Sequence, residues 1–480
     1  MSFTVLRIIL FILSIVGTTF ILPIATALYC GELHVIPAFL IPMLISWLAG
    51  VASFFMGKGR KSYLSVRSSF SVALLAWICS SLFGAVPLFA SGAIPSFTNA
   101  VFESTSGFTT TGATILQDIE SLPRSINLWR CLTHWIGGMG IVALTVALMP
   151  ILGVGGFQLI KAETTGPEKG KFTPKITTTA KILWFIYLGL TLAEMLLLKL
   201  AGMDLIDAAS HAFSTLGTGG FSTRNSSIAS FNSPLIDWII FVFMFLAGVN
   251  FSLYFYFFTR NFDEIRSNSE FKAYVGITIV VILLLTILQA SSYGGFFKSL
   301  RFSAFQAAAI MTTTGFSTAD YTLWKPASQI IILSLMFIGG SSGSTSGGIK
   351  VVRWVILCKQ LRNEIMKLLH PHGVFSIRLN QRAGRHDVVY SVAAFLFLYL
   401  AAVVFTAFFG ALFDMDLFTA LTGAITMMDN CGPAFVALGP SCNCAWLAVP
   451  VKWVYSLVMI AGRLEIFTMF VFLTPAFWRK

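Results

Sequence analysis

Four short segments rich in threonine and glycine recur along the chain and carry the residue types best suited to ion chemistry. The first three are TTTGAT at residues 109–114, TGGFST at 218–223 and TTTGFST at 312–318. The fourth, DNCGPAF at residues 429–435, is less similar, but its glycine keeps the phase of the repeat. We call them glycine segments 1 to 4. Their central glycines, about 100 residues apart, predict four similar structural units and are Gly112, Gly220, Gly315 and Gly432.

The residue types of the glycine segments suit the binding of a dehydrated monovalent cation. Backbone carbonyls and threonine hydroxyls replace the oxygens of a hydration shell without a fixed full charge. Glycine lets carbonyls turn towards an axis, because it reaches torsions that a β-carbon blocks. We therefore predict an ion filter formed by Thr110, Thr111, Gly112, Thr218, Gly219, Gly220, Thr313, Thr314, Gly315, Asn430, Cys431 and Gly432. Helix packing alone would also use small residues, but three near-identical copies disfavour that alternative.

The composition places the glycine segments in a membrane protein. Of the 480 residues, 56% are hydrophobic and only 11% are charged, and the mean hydropathy is +0.82. A soluble globular protein carries about 25% charged residues, so that class is excluded. Stretches long enough to cross a bilayer, roughly 20 apolar residues each, recur along the whole chain. We predict ten spans, of which the first two, at residues 6–28 and 36–56, precede the repeat.

Each predicted unit contains an outer helix, a short pore helix, a glycine segment and an inner helix. The fold class is therefore an all-α polytopic membrane protein with four pseudo-repeats around one central pore. The pore helices are too short to span a bilayer and are predicted at residues 96–108, 205–216, 300–311 and 415–428. The inner helices are predicted at residues 129–149, 235–258, 328–357 and 450–475. The N-terminal helices take residues 1–69, and units 1 to 4 take residues 70–180, 181–272, 273–387 and 388–480.

The charge distribution predicts the orientation in the membrane. The formal charge is +12, and most of the 32 lysines and arginines cluster in alternate loops, with eight between Lys350 and Arg385. Such clustering follows the positive-inside rule and argues against nucleic acid as the partner. Both termini are then cytoplasmic. Attraction to lipid headgroups is an alternative use of the basic segment 350–385. Three cysteines lie on the predicted outer side, where a disulfide bond can form. The sequence does not indicate which two of Cys431, Cys442 and Cys444 would pair.

Three ionisable residues lie deep within the predicted spans, where an unpaired charge is costly. Glu194 is expected to be a hydrogen-bonded packing group. Arg463 and Glu465 lie two residues apart in the last span, so a continuous helix would place them about 200° apart on its surface.

A glycine-rich interruption divides the third inner helix into two apolar stretches too short to cross a bilayer. We call residues 339–348 the intramembrane loop and predict that it forms a gate together with Arg463. Its members are Gly339, Gly340, Ser341, Ser342, Gly343, Ser344, Thr345, Ser346, Gly347 and Gly348. The alternative is a surface loop that joins two short helices.

These motifs together resemble the TrkH-type potassium uptake proteins of the Trk/Ktr/HKT superfamily. The resemblance covers FESTSGFTTTGAT (102–114), HWIGGMGI (134–141), glycine segments 2 and 3, GGSSGSTSGGIK (339–350) and GRLEIFT (462–468). It implies potassium as the transported ion, a homodimer, and a cytoplasmic nucleotide-binding regulatory subunit of the TrkA type. It also implies that Arg463 projects into the cavity below the filter.

Two departures from the family pattern concern glycine segment 4. Cys431 and Ala434 stand where the family often has an apolar residue and a glycine. Asp429 lies three residues before Gly432, where it either concentrates cations at the outer mouth or caps a turn.

The function expected from these observations is potassium uptake in the bacterial inner membrane, without enzymatic activity. The chain has no Walker motif and no dinucleotide fingerprint, so we expect it to bind no nucleotide itself. A sodium-permeable or cation-coupled member of the same superfamily is the alternative within transport. A membrane receptor or scaffold is disfavoured, because neither needs four glycine segments.

Overall fold

The computed structural model describes residues 3–56, 65–140, 176–373, 375–380, 382–383 and 386–479. The described chain is helical apart from loops and a two-stranded antiparallel hairpin, in which β1 (Arg378–Leu379) pairs with β2 (Arg382–Ala383). The predicted all-α class is thereby confirmed. Six described helices are long and apolar enough to cross a membrane, and two bent helix pairs meet the same criteria jointly.

The N-terminal part packs against the first unit. It consists of α1 (Phe3–Thr19), α2 (Ile21–Cys30) and α3 (Ile36–Met56). Phe20 follows α1 and meets the indole ring of Trp129 edge-on, with the ring centroids 4.7 Å apart. Both side chains are fully buried, so the N-terminal helices share a core with unit 1.

Units 1 and 2 follow the predicted order of elements. Unit 1 has the outer helix α4 (Val66–Ala90), the pore helix α5 (Phe97–Phe108) and the inner helix α6 (Arg124–Gly138). Unit 2 has α7 (Ile176–Leu200), the pore helix α8 (Leu205–Gly217), and the pair α9 (Pro234–Ala247) and α10 (Phe251–Phe258). The short α11 (Phe262–Ser267) leads into unit 3. Much of the first predicted inner span, residues 129–149, lies outside the described residues.

Units 3 and 4 repeat the arrangement. Unit 3 has α12 (Ser269–Gln289), the pore helix α13 (Phe296–Met311), α14 (Pro326–Met336) and α15 (Val351–Leu369). Unit 4 has α16 (His386–Ala411), the pore helix α17 (Leu417–Asp429), α18 (Val449–Arg463), α19 (Ile466–Leu473) and α20 (Pro475–Trp478). The pore helices have 12, 13, 16 and 13 residues, which is too short to cross a bilayer.

Two inner helices that the sequence predicts as single spans are sharply bent. The predicted span 235–258 forms α9 and α10 at an angle of 93°, and the predicted span 450–475 forms α18 and α19 at 117°. Hydropathy cannot detect such bends, because both arms are apolar. At the first bend, the side chain of Asn250 caps α10 by accepting a hydrogen bond from the Ser252 amide at 2.9 Å.

The second bend corrects the prediction for Arg463 and Glu465. Helix α18 ends at Arg463, and Glu465 has a left-handed φ of 61° before α19 begins. The two residues therefore do not lie on one continuous helix, and the predicted angular separation of 200° does not apply.

Candidate functional site

The four glycine segments share one backbone conformation. Each central glycine has a positive φ, with values of 81°, 84°, 76° and 84° at Gly112, Gly220, Gly315 and Gly432. The residue two positions earlier is also left-handed in each segment, with φ of 58°, 54°, 55° and 55° at Thr110, Thr218, Thr313 and Asn430. A left-handed threonine is a steric outlier, and such outliers persist where the surrounding structure holds them, often at ligand sites.

The glycine segments contact one another in a closed cycle. A β-carbon added to Gly112 would overlap the carbonyl oxygen of Gly219, and one added to Gly220 would overlap that of Thr314. One added to Gly315 would overlap the carbonyl of Cys431, and one added to Gly432 would meet that of Thr111. The contacts therefore run from segment 1 to 2, 3, 4 and back to 1. Only glycine fits at the four contacts, because each backbone touches its neighbour directly.

Hydroxyl pairs link residues on either side of the left-handed position in segments 1 and 3. The Oγ1 atoms of Thr109 and Thr111 are 2.8 Å apart, and those of Thr312 and Thr314 are 2.7 Å apart. In segment 4, Asn430 Nδ2 donates to Thr111 Oγ1 at 3.0 Å and so ties segment 4 to segment 1. Thr110 Oγ1 is buried and has no hydrogen-bond partner in the described part of the chain.

The intramembrane loop lies directly against the glycine segments. The amide of Gly347 donates to Thr313 Oγ1 at 2.7 Å, which engages the left-handed threonine of segment 3. A β-carbon on Gly347 would overlap the carbonyl of Asp429 at the end of α17. Most of the loop is buried, including Ser341, Thr345 and Ser346. The loop is therefore an interior element and not the surface connection considered as the alternative.

The loop also closes the bend of the second inner helix. The Ser341 amide donates to the carbonyl of Gly248 at 2.9 Å, and the Phe251 amide donates to the carbonyl of Gly343 at 3.0 Å. These hydrogen bonds satisfy backbone groups that the break between α9 and α10 leaves free. The loop of unit 3 and the bend of unit 2 thus stabilise each other.

Arg463 joins three inner helices. Its Nη1 donates to the carbonyl oxygen of Thr345 in the intramembrane loop at 2.7 Å. Its Nη2 donates to the carbonyl oxygens of Gly137 and Gly138, both at 2.7 Å. Those two carbonyls end α6, where a helix carries about half a negative charge. A guanidinium at this point is therefore electrostatically favoured and holds the loop against unit 1.

Three charged residues next to the loop were not predicted as part of the site, namely Glu270, Lys350 and Arg353. Glu270 at the start of α12 accepts hydrogen bonds from the amides of Ser342 at 2.6 Å and Val352 at 3.2 Å. Lys350 Nζ donates to the carbonyl of Ser346 at 2.6 Å. The one available sequence signal was the position of Lys350, immediately after the glycine-rich stretch.

Arg353 provides a second contact between the end of the loop and unit 4. It pairs with Glu465 at 2.6 Å across 112 positions of sequence, and its guanidinium lies over the ring of Phe395 at 3.7 Å. Lys350 and Arg353 are 3% and 5% exposed. These two members of the basic segment 350–385 are therefore buried and do not contribute to a basic surface.

Asp429, Glu194 and the cysteines complete the predicted candidates. Asp429 is fully buried and accepts a hydrogen bond from the Tyr399 hydroxyl at 2.8 Å, so it neither lies at an outer mouth nor caps a turn. Glu194 is fully buried, but neither of its carboxylate oxygens has a hydrogen-bond partner among the described residues, so it is not the hydrogen-bonded packing group that was expected. All seven cysteines lie within the described residues and are free thiols, so none of Cys431, Cys442 and Cys444 forms a disulfide.

Comparisons with known proteins agree with this architecture. The family model TrkH, described as a cation transport protein, matches residues 35–480. The Trk system potassium uptake protein TrkH of Escherichia coli (strain K12) is 38% identical over 426 residues, 88% of each chain. TrkH of Halomonas elongata is 37% identical over 491 residues, 99% of each chain. The crystal structure of the potassium transporter TrkH from Vibrio parahaemolyticus aligns with 100% of both chains, with a TM-score of 0.87 and 33% identity. The resemblance inferred from the motifs is confirmed, and the chain belongs to the TrkH family of cation transport proteins.

Proposed function

We propose that this chain takes up potassium ions through a filter formed by the four glycine segments. The observation that carries the proposal is the closed cycle of contacts between their backbones. Four backbones in mutual contact around one centre offer rings of carbonyl oxygens, which replace the water of a dehydrated cation. The ends of the pore helices add negative potential without a fixed charge, which favours cations over anions.

The filter ligands are the residues at and just before the four glycines. They comprise Thr110, Thr111, Gly112, Thr218, Gly219, Gly220, Thr313, Thr314, Gly315, Asn430, Cys431 and Gly432. Selectivity for potassium over sodium requires a ring of fixed size and ligand number. The backbone contacts between segments supply that constraint, because the carbonyl of the next segment already occupies the space beside each central glycine.

The intramembrane loop and Arg463 form the gate below the filter. The loop occupies the space beside Thr313, and Arg463 holds it there through the Thr345 carbonyl. The guanidinium stays protonated at physiological pH and repels an approaching cation. Opening then requires the loop to move aside, and its positive-φ glycines change torsion at little steric cost.

A cytoplasmic partner supplies the force for opening. The family resemblance suggests a homodimer of this chain bound to a nucleotide-binding regulatory subunit of the TrkA type. Helix α15 begins directly after the loop and continues to Leu369 with exposed Arg362 and Lys367, so a partner that pulls on α15 acts on the loop. This assignment places both termini in the cytoplasm of a bacterial cell and the chain in its inner membrane. This chain itself binds no nucleotide.

Reconstitution into liposomes tests the proposal. With a potassium gradient, the purified chain should give potassium influx that protein-free liposomes lack, and sodium should compete weakly. Equal potassium and sodium influx would instead favour the sodium-permeable alternative, and dependence on a second ion gradient would favour a coupled symporter. A scaffold would give no ion flux. Rescue of potassium-limited growth in a bacterium without its own uptake systems provides the matching test in cells.

A further inference from the structure

A buried ion pair lies behind glycine segments 1 and 2. Glu103 on the pore helix α5 and Arg130 on the inner helix α6 have side chains only 0% and 1% exposed. Arg130 Nη2 lies 2.7 Å from Glu103 Oε1, and Arg130 Nε donates to the same oxygen at 2.9 Å. A fully buried ion pair is stable only if the other polar atoms of both side chains also have hydrogen-bond partners.

Those partners include Thr114, the last residue of glycine segment 1, Ile115, which follows it, and Asn127 on α6, whose Oδ1 accepts from Arg130 Nη1 at 3.0 Å. Glu103 Oε2 accepts a hydrogen bond from the Ile115 amide at 2.9 Å, and Glu103 Oε1 accepts one from Thr114 Oγ1 at 2.9 Å. Arg130 Nη2 donates to Thr114 Oγ1 at 3.3 Å. Thr114 and Ile115 follow Gly112 by two and three positions, so the ion pair fixes the chain just beyond the first filter glycine.

Arg130 also contacts glycine segment 2. Its guanidinium lies 4.4 Å from the ring centroid of Phe221, and Nη1 reaches the carbonyl of Ser222 at 3.5 Å. Phe221 directly follows Gly220, the second filter glycine. One arginine therefore contacts the residues that follow the filter glycine in two segments, and these segments are neighbours in the closed cycle.

Units 2 and 3 carry related contacts at the same position, nine residues before the filter glycine. In unit 2, His211 Nε2 lies 2.9 Å from Ser222 Oγ, and in unit 3, Gln306 Nε2 donates to the carbonyl of Ala319 at 3.0 Å. Unit 4 has Gly423 at this position and thus has no side chain there. Within the described part of the chain, the pair in unit 1 contacts two glycine segments, whereas His211 and Gln306 each contact the chain of their own unit.

We propose that Glu103 and Arg130 are positioning residues that set ion selectivity by fixing the spacing of glycine segments 1 and 2. This inference rests on the proposed potassium uptake. The pair acts on the filter through Thr114, Ile115 and Ser222, which its polar atoms contact, and not as an ion ligand. Loss of the pair lets Thr114 and Phe221 shift, which changes the size of the carbonyl ring and favours sodium relative to potassium.

The test compares ion influx into liposomes for the parent and four variants. Glu103→Gln and Arg130→Lys should each lower the potassium-to-sodium influx ratio about fivefold or more, because ring size and ligand number govern selectivity. Thr114→Val removes one bridging hydroxyl and should lower the ratio by a smaller factor. Asp237→Asn is the matched control, since Asp237 is a buried carboxylate that pairs at 3.0 Å with the partly exposed Arg301, and neither residue belongs to a glycine segment. It should leave the ratio unchanged.

Amide exchange at Ile115 gives a second readout that does not depend on transport. Exchange at this amide should accelerate in Glu103→Gln and stay at the parent rate in Asp237→Asn. A parent protein without potassium influx would overturn the proposed function, whereas exchange at Ile115 would still test the contact. If Glu103→Gln does not fold, Arg130→Lys and Thr114→Val decide. Parent-like influx ratios in the folded variants, or the same loss in Asp237→Asn, would overturn the positioning role.

Discussion

Arg463 Nη1 donates a hydrogen bond of 2.7 Å to the carbonyl oxygen of Thr345, which joins the end of the fourth inner helix to the intramembrane loop of unit 3. The remaining donors at Nη2 go to the last carbonyls of α6. The arginine is therefore a structural tie between units 1, 3 and 4, and its positive charge is the one that the proposed gate sets below the filter.

Replacing Arg463 should raise potassium flux in the absence of a regulator. Arg463→Ala removes both the repulsion and the tie, so basal flux should rise about tenfold or more, equivalent to about 1.4 kcal/mol of lost barrier. Arg463→Lys keeps the charge but replaces the two terminal guanidinium nitrogens, which reach carbonyls on different units, with a single ammonium nitrogen. An intermediate flux in Arg463→Lys would assign part of the barrier to the tie. Parent-like flux in both folded variants would place the gate elsewhere.

Thr313→Val should loosen the intramembrane loop. The hydroxyl of Thr313 accepts the hydrogen bond from the Gly347 amide, and valine keeps the shape without the acceptor. Amide exchange at Gly347 should therefore accelerate. The matched comparison is Thr110→Val, which changes the equivalent residue of segment 1, whose hydroxyl has no hydrogen-bond partner among the described residues. Equal exchange at Gly347 in the parent and in Thr313→Val would show that this hydrogen bond does not hold the loop.

Gly112→Ser should weaken selectivity for potassium over sodium. An added β-carbon overlaps the carbonyl of Gly219, and the φ of 81° costs a residue with a side chain about 1–2 kcal/mol. The influx ratio should fall about tenfold, as expected for a change of about 1.4 kcal/mol. Gly189→Ala on α7 is the control, because nothing lies within 4 Å of its added β-carbon. An unchanged ratio in Gly112→Ser would remove Gly112 from the filter.

Glu465→Gln should destabilise the contact between the intramembrane loop and unit 4. Arg353 is 6% exposed at its side chain, so removal of its partner leaves a buried charge unpaired. Such a loss costs about 3–5 kcal/mol, and thermal unfolding in detergent should begin at a clearly lower temperature. Glu364→Gln breaks the exposed pair with Lys367 and should cost less than about 1 kcal/mol. Similar midpoints for the two variants would contradict the assigned importance of Arg353 and Glu465.

Asp416→Ala should destabilise the pore helix α17. The Asp416 carboxylate caps this helix by accepting hydrogen bonds from the amides of Thr419 at 2.9 Å and Phe418 at 3.2 Å. Asp416→Asn should behave nearly like the parent, because asparagine caps helices about as well as aspartate. Equal stability of Asp416→Ala and Asp416→Asn would show that the cap contributes nothing.

The Asp416 cap should also depend on pH. Hydrogen bonds from Thr419 and from the Phe418 amide lower the pKa of Asp416 below its ordinary value. A lowered pKa in the folded state means that the contribution is complete above the ordinary aspartate pKa and is lost as pH falls through the lowered pKa. Thermal melts of the parent and Asp416→Ala should therefore converge in acid. A difference that grows as pH falls would contradict this sign.

The sequence by itself determined the membrane class, the four glycine segments and the short helices that precede them. These features are local, because hydropathy and length decide whether a stretch crosses a bilayer. The predicted pore helix at residues 205–216 corresponds to α8 at Leu205–Gly217, for example. The break in the third inner helix was also legible, since glycines and serines between two short apolar stretches cannot continue a helix.

Only the tertiary structure decided how distant residues meet. The cyclic order of the glycine segments depends on contacts between positions about 100 residues apart and, where segment 4 meets segment 1, about 320 residues apart. The pairing of Arg353 with Glu465, the burial of Lys350 and Asp429, and the bends after Ala247 and Arg463 belong to the same class. The physical reason is that apolar composition is the same on both sides of a bend, and the partner of a charge is chosen by packing between units rather than by its neighbours in sequence.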